Sequence, residues 1–446
     1  MTINKVERCT SSRMGHSGLA LVGEMARISG LDDLCQRISP KKNPHIPERD
    51  IVRTLCGLIC QGKTDFDNVR QVMDDDFFKY GLGVSKVPSA EIMRQRFKSL
   101  ALEGNLARHL PGCSVNLYKK SGMQPEIVRA GDQEMVRLDV DVSIMDNSDT
   151  KKEGAEYTYD KRFGFAPIFA HFGGGWLVNL ELRPGNVHSA GPGTRGFLND
   201  SLEYGQRMVS EYPLLTIMDC GFDSAELIKT LHARKGTEFI IKHNLRREPE
   251  WKWLEEAQSN AVHTQPFKNR KEKGVKYFGS IRRTVNGIES PVRMVYEVTE
   301  ITSKNGQPYL LPFVRINAFW TSLETSEKEV IRLYRERGTS EQYHSELKTD
   351  MDMERLPSGN FEINRAFLHL GMLVYNMLRV VSRDMVISRA LGLKKASRRR
   401  TKTVINNVMF MCGRIVRGGR ILRLKLACPP AWHQFFARLF YRLQQA

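Results

Sequence analysis

The chain has 446 residues, with 68 Lys and Arg against 50 Asp and Glu, a formal charge of +18 and 41% hydrophobic residues. That share of apolar residues suffices for a buried core and excludes wholesale disorder, and the length suggests two or three domains. No uninterrupted run of about 18 apolar residues occurs and the start, MTINKVERCT, has no apolar signal region, so a membrane span is excluded and a cytoplasmic location expected.

Residues 1–125 read as helical. LALVGEMARISGLDDLCQRI, ERDIVRTLCGLICQG, FDNVRQVMDDDFFKYGL and SAEIMRQRFKSLALEG each repeat apolar residues at three- and four-residue spacing. The last follows Pro88, and Ser89 is placed to cap its first turn. Arg94, Gln95 and Lys98 fall on its outer side. A small helical DNA-binding domain, a helix-turn-helix included, and a plain helical bundle both fit.

Near residue 130 the period changes to two. In MVRLDVDVS, Val136, Leu138, Val140 and Val142 share one face of a strand, and Arg137, Asp139 and Asp141 the other. Strands FAPIFAHF and WLVNLELR follow, then a helix over 194–211, strand LLTIMDCG, helix SAELIKTLHARKG and strand EFIIKH. Three strands followed by alternating helix and strand indicate a mixed sheet covered by helices. Residues 245–322 break the alternation with three strand-like runs separated by Asn286-Gly287 and Asn305-Gly306, and read as an inserted β subdomain. Residues 325–350 return to a helical pattern, and 361–446 read as helical throughout. Within them, 366–381 is apolar yet holds His369, Asn376 and Arg379, as a buried soluble helix does.

Most of the positive charge sits at one end. Residues 379–446 hold 16 Lys and Arg and one acid, Asp384. Lys394, Lys395, Arg398, Arg399, Arg400 and Lys402 crowd together, and Arg414, Arg417, Arg420, Arg423 and Lys425 follow. So basic a surface should attract nucleic acid, a solvated face being the plain alternative. The eight cysteines include no CxxC pair, so reduced, buried thiols are expected in place of a zinc ribbon. No Walker motif supports ATP-driven chemistry. His171, alternating with apolar residues, reads as structural, and His188 as a loop residue able to approach the site.

Asp139 and Asp141 lie mid-strand among apolar neighbours, an expensive place for two like charges unless a cation neutralises them. Asp219 ends the strand TIMDCGFD. Asp223 is the better cap for the next helix, which leaves Asp219 free for another role. In IRLYRERGTSEQYHSELKTDM, Tyr334, Arg337, Glu341 and Lys348 fall within about 40° of one line on a regular helix, with His344 at the border. A solvated, ion-paired helix gives the same spacing. Three carboxylates of hard oxygen can hold two Mg²⁺ or Mn²⁺ ions about 3.5–4 Å apart, which activate a water or a 3′-hydroxyl at a phosphodiester. Tyr, Arg and Lys beside the Glu can clamp phosphates.

The order Asp, Asp, then Y-x2-R-x3-E-x6-K, carried by Tyr334, Arg337, Glu341 and Lys348, resembles the DDE transposases of bacterial insertion sequences. LRPGNVHSAG and IMDCGFDSAELI are also similar to that group's segments. The resemblance spans about residues 10–440. It implies an α/β, ribonuclease-H-like mixed sheet with a β-rich insertion, flanked by helical N- and C-terminal regions. The expected parts are a DNA-binding region at 1–125, the core at 126–244, the insertion at 245–322, the Glu-bearing helix at 323–360 and a basic region at 361–446. It further implies Asp141, Asp219 and Glu341 as catalytic metal ligands with Asp139 nearby. Asp139 and Asp141 compete for the first place, and the hydroxyl two positions on, in Asp141-Val142-Ser143, favours Asp141. Tyr334, Arg337, Lys348, His344, the insertion's Trp320 and Arg398, Arg399 and Arg400 are the implied DNA contacts, although packing within the insertion suits Trp320 equally. The implied activity is metal-dependent cleavage of terminal inverted repeats and strand transfer into target DNA by a homodimer. A stand-alone nuclease of the same fold, or a non-catalytic transposase-derived DNA-binding protein, is the alternative.

Overall fold

The computed structural model describes residues 15–41, 44–246, 248–388, 391–419 and 421–446, and Arg420 lies outside them. The chain forms two compact units, one from residues within 1–123, 145–154 and 344–446 and the other from 124–144 and 155–343. No described helix is long and apolar enough to cross a membrane.

The first unit is mainly helical. Helices Glu48–Ile59, Ala90–Leu102 and Leu106–Lys120 pack against the long helix Phe361–Ile387. Ser89 caps as expected, its hydroxyl accepting from the Ile92 N–H at 3.4 Å. Phe361–Ile387 is buried over most of its length, and two of its polar residues find partners there: Asn376 donates to Ser114 Oγ at 2.7 Å and His369 Nδ1 to the Arg365 carbonyl at 2.8 Å. Asp384 binds Arg442 of the last helix, Pro430–Gln445, through two bonds of 2.8 and 2.7 Å. Cys35, Cys56, Cys60 and Cys113 are buried free thiols, and burial pushes Cys56 and Cys113 up to about 12. Cys220 and Cys412 are exposed, unlike the buried thiols expected of them.

Three segments of this unit depart from the helical reading, and one of them, residues 392–400, forms neither helix nor strand. Residues 66–82 form a 3-10 turn, Phe66–Gln71, and a π turn, Phe77–Gly81, in place of a regular α-helix. Residues 413–426 are a hairpin, Gly413–Gly418 paired with Ile421–Leu426. Around Gly418-Gly419, Ile415, Leu422 and Leu424 interleave with Arg414, Arg423 and Lys425, which is a period near two.

The second unit is built on one long sheet. Its core strands are β1 (Gln133–Val142), β2 (Ile168–Phe172), β3 (Leu177–Glu181), β4 (Leu214–Met218) and β5 (Thr237–Lys242). They lie in the order β3-β2-β1-β4-β5, with β2 and β3 antiparallel and β4 and β5 parallel to their neighbours. This arrangement fits a ribonuclease-H-like fold.

The insertion adds β6 (His263–Lys268), β7 (Glu272–Arg283), β8 (Val292–Lys304) and β9 (Gln307–Thr321). Asn305 and Gly306 turn the β8–β9 hairpin with φ of 52° and 84°, as an Asn-Gly turn requires. The insertion continues the core sheet, since Phe319–Thr321 of β9 pair antiparallel with Lys242–Ile240 of β5. Leu215, Ile217, Ile240, Val295, Phe319 and Leu333 form the core that joins sheet and covering helix.

Candidate active site

β1 and β4 run parallel and in register, with Val140 opposite Met218. The pairing ends there, and Asp141 and Asp219 are the next residues of the two chain segments, at the same end of the sheet. Asp219 is fixed by its turn, its Oδ1 accepting from the Gly221 N–H at 2.9 Å, and Asp141 Oδ1 likewise accepts from Val142 N–H at 2.9 Å. Burial raises the Asp141 pKa; Arg337 opposes this and the Asp219 charge adds to it. The two acids therefore feel each other directly.

Arg337 answers them. Its Nη2 lies 2.9 Å from Asp141 Oδ1 and 3.5 Å from the Val140 carbonyl. Burial works against its charge, but Asp141, Tyr334, Asp219 and Asp139 outweigh burial and hold its pKa above the usual value. Tyr334 packs its ring on Phe319 at 4.6 Å, and burial pushes its phenol up to about 12.

Asp139 sits deeper. It is fully buried, accepts from Arg137 Nε at 3.0 Å and lies 3.9 Å from His171. Burial lifts its pKa to about 6, against the pull of Arg137. His171 is the structural histidine expected: burial lowers it to about 3, its Nδ1 donates to the Phe172 carbonyl, and its ring meets Tyr343 edge-on at 5.0 Å. Tyr343 in turn donates to the Gly173 carbonyl at 2.6 Å.

The Glu-bearing segment is not one regular helix. An α-helix, Glu327–Arg335, passes into a 3-10 turn, Glu336–Thr339, then a short helix, Ser340–Ser345, and a π turn, Glu346–Asp350. These changes of pitch break the single face that the spacing suggested. Glu341 is exposed, and among the described residues no three His, Cys, Asp or Glu side chains stand close enough to hold a metal ion. The structure thus brings together Asp141, Asp219, Arg337 and Tyr334, and leaves Glu341 outside that group. His344 (buried) and Lys348 (half-buried) belong to the other unit.

Other expected contacts have internal partners. Trp320 is 7% exposed, and its Nε1 donates to Asp223 Oδ1 at 3.0 Å. Asp223 is not the helix cap, because Ser224 accepts from the Leu227 N–H. Asp223 instead binds His243 Nδ1 at 2.8 Å, while His243 Nε2 reaches Glu248 at 2.8 Å. Glu248 also accepts from Trp253 Nε1 and Arg283. This network was missed because neither HN at a strand end nor Glu248 in a loop carries a local signal. His188 is an exposed loop residue whose Nδ1 accepts from the Ala190 N–H. In the basic segment, Arg398 pairs with Glu346 and Arg400 Nε with Asp350 at 2.7 Å, while the Arg399 carbonyl accepts from Ser382 at 2.8 Å.

The family described as Transposase DDE domain group 1 matches residues 9–446. The chain belongs to that family. Its members are transposases, which makes DNA cleavage the reaction class for this transposase-family chain. A cryo-EM structure of the piggyBac transposase synaptic complex with hairpin DNA is similar at 10% identity and a TM-score of 0.42, over 89% of this chain and 82% of that one. A comparison with curated protein sequences finds no match.

Proposed function

We propose that the protein is a DNA transposase that cuts the ends of its own element and joins them to target DNA, with Asp141 and Asp219 at the centre of the site. The observation that carries this reading is the two carboxylates at the same end of adjacent parallel strands, one inside its strand and one just past its strand's end, with Arg337 paired to Asp141.

DDE transposases use divalent metal ions. The donor set suits Mg²⁺ or Mn²⁺, because both acids offer hard oxygens and their mutual repulsion calls for positive charge. Asp141 and Asp219 would hold the cation, and Asp139 supports the strand from beneath through Arg137. A bound divalent ion supplies an activated oxygen nucleophile and stabilises the leaving oxygen of a phosphodiester. Arg337 offers five N–H donors in a fixed fork that suits a phosphate as well as Asp141. Glu341 lies on the same segment as Arg337, which supports its role as the third acid when DNA is engaged. A second protomer would carry the second element end.

The test is an oligonucleotide assay using the DNA that brackets the gene. Cleavage at inverted repeats, followed by joining of pre-cut ends to plasmid DNA, is expected with Mg²⁺ or Mn²⁺. Hydrolysis without joining would establish a nuclease instead. DNA binding without either reaction would establish a non-catalytic binding protein.

A further inference from the structure

A short hairpin, Glu156–Tyr157 paired with Phe163–Phe165, holds two tyrosines in solvent. Tyr157 is 70% exposed and Tyr159 85%. The turn between the strands is firmly braced. Thr158 N–H donates to the Arg162 carbonyl at 2.8 Å, and Lys161 N–H to the Thr158 carbonyl at 3.0 Å. The Thr158 hydroxyl donates to the Arg162 carbonyl at 2.8 Å, and Arg162 Nε to Asp160 at 2.7 Å. Lys161 takes φ of 67° to close the turn. Tyr157 leans on Phe163 at 5.4 Å, whereas Tyr159 has no ring partner among the described residues.

Close packing ties this hairpin to the acid pair. A Cβ at Gly185 would lie 2.2 Å from the Glu156 carbonyl oxygen and 2.4 Å from that of Gly164, so the loop after β3 touches the hairpin backbone. Farther along that loop, Ser189 Oγ would lie 2.8 Å from a Cβ on Gly221, in the turn that holds Asp219. The loop is wedged between hairpin and Asp219 turn. Partial enclosure, then the charges of Asp160, Asp219 and Asp141, raises the Tyr159 phenol above its usual pKa. The carboxylates are therefore within electrostatic reach of the ring, and a phenol held protonated is a poor nucleophile.

A flat ring exposed to water on a braced turn, linked by packing to the turn of Asp219, suits a nucleobase, because every base offers a π face. Lys161, exposed on the same turn, suits the neighbouring phosphate. We propose that Tyr159 stacks on an unpaired nucleobase of the DNA strand that passes Asp141 and Asp219. The contact tolerates any sequence and sets the strand's position at the acids. It rests on the transposase reading, and the two are tested apart.

The probe is a short single-stranded DNA of mixed sequence carrying 2-aminopurine, titrated in EDTA so that no cleavage contributes. Wild type and Tyr159→Phe should quench the fluorophore. Tyr159→Ala should abolish the quench and weaken binding about ten- to a hundredfold, the usual effect of removing one stacked base. The slope of log K against log salt should stay unchanged, since stacking releases no counterions. Equal quench and affinity in Tyr159→Ala, or no quench by wild type, overturns the inference. A fall in affinity with a shallower salt slope overturns it too, by making the residue a phosphate ligand. Cleavage of element ends by wild type is scored separately: its absence sinks the transposase reading, and its persistence with an unaffected Tyr159→Ala sinks the stacking alone.

Discussion

Arg337 and Asp141 form a half-enclosed ion pair, N to O 2.9 Å, with side chains only 13% and 17% exposed. One guanidinium so balances an acid on which the charge of Asp219 also acts. Arg337→Ala should leave Asp141 and Asp219 facing each other uncompensated. Stability should fall by an amount between the ~1 kcal/mol of an exposed pair and the ~3–5 kcal/mol of a fully buried one. Cleavage should weaken more than in Arg337→Lys, which keeps the charge but not the fork. Urea unfolding and cleavage rates measured on both variants decide this, and equal stability of Arg337→Ala and wild type would refute the pairing.

Asp141→Asn and Asp219→Asn should each abolish cleavage and leave DNA affinity nearly unchanged, because each removes one ligand charge at constant shape. Glu341→Gln should do the same if the exposed carboxylate joins the acids on DNA. Asp139→Asn should act differently. It deprives the buried Arg137 of its counter-charge, so the effect should appear in the melting temperature, with residual cleavage in the folded fraction. Cleavage in folded Asp141→Asn would transfer the first-acid role to Asp139.

His243 sets a pH dependence on stability. It lies between Asp223 and Glu248, with Arg283 on Glu248 and Arg246 at the Asp223 carbonyl. Burial alone would lower its pKa, but bonds to both carboxylates outweigh burial and raise it. Against burial, the His243 bond holds Asp223 below its usual value, and bonds from Arg283 and then His243 hold Glu248 below its own. The His243 contribution is thus complete below its unfolded pKa of ~6.5 and is lost as pH rises through the higher folded value. The carboxylate contributions are present above ~4 and fade on acidification. His243→Gln should therefore cost most between about pH 4.5 and 6.5, by roughly 1.5–3 kcal/mol, and progressively less above neutrality. Unfolding midpoints of both proteins across that range would expose a flat difference, which would contradict the charged bridge.

The basic segment divides into two kinds of cation. Arg398 pairs with Glu346, which is 1% exposed, whereas Lys394 and Lys395 are exposed. Arg398→Glu should destabilise the first unit by setting two acids together in the interior. Lys394→Glu with Lys395→Glu should leave the melting temperature unchanged and make the salt dependence of DNA binding shallower, by about 0.9 for each phosphate no longer neutralised. An unaltered slope in the lysine pair would make that stretch a solvated surface.

Where periodicity and chemistry coincide, the sequence was a sufficient guide. Alternation in MVRLDVDVS placed β1, and the shift to alternating helix and strand predicted the mixed sheet. Legibility failed where long-range packing overrode local pattern. The helical face assigned to Tyr334, Arg337, Glu341 and Lys348 assumed constant pitch, which the turns at Glu336–Thr339 and Glu346–Asp350 interrupt. At Trp320, the choice between packing and DNA binding depended on Asp223, a residue distant in sequence.

The close approach at Gly185 also bears on how this chain can change over generations. Even a methyl group there would overlap two carbonyl oxygens, one from each strand of the Tyr159 hairpin. Relief would need that hairpin, or the loop leading to Ser189 and Asp219, to move. Substitutions at Gly185 are therefore closed unless a second change elsewhere comes first. Hairpin, loop and acid turn are bound to be inherited as one block, and a chimera that borrows any one of them from a relative must borrow its fit to the other two.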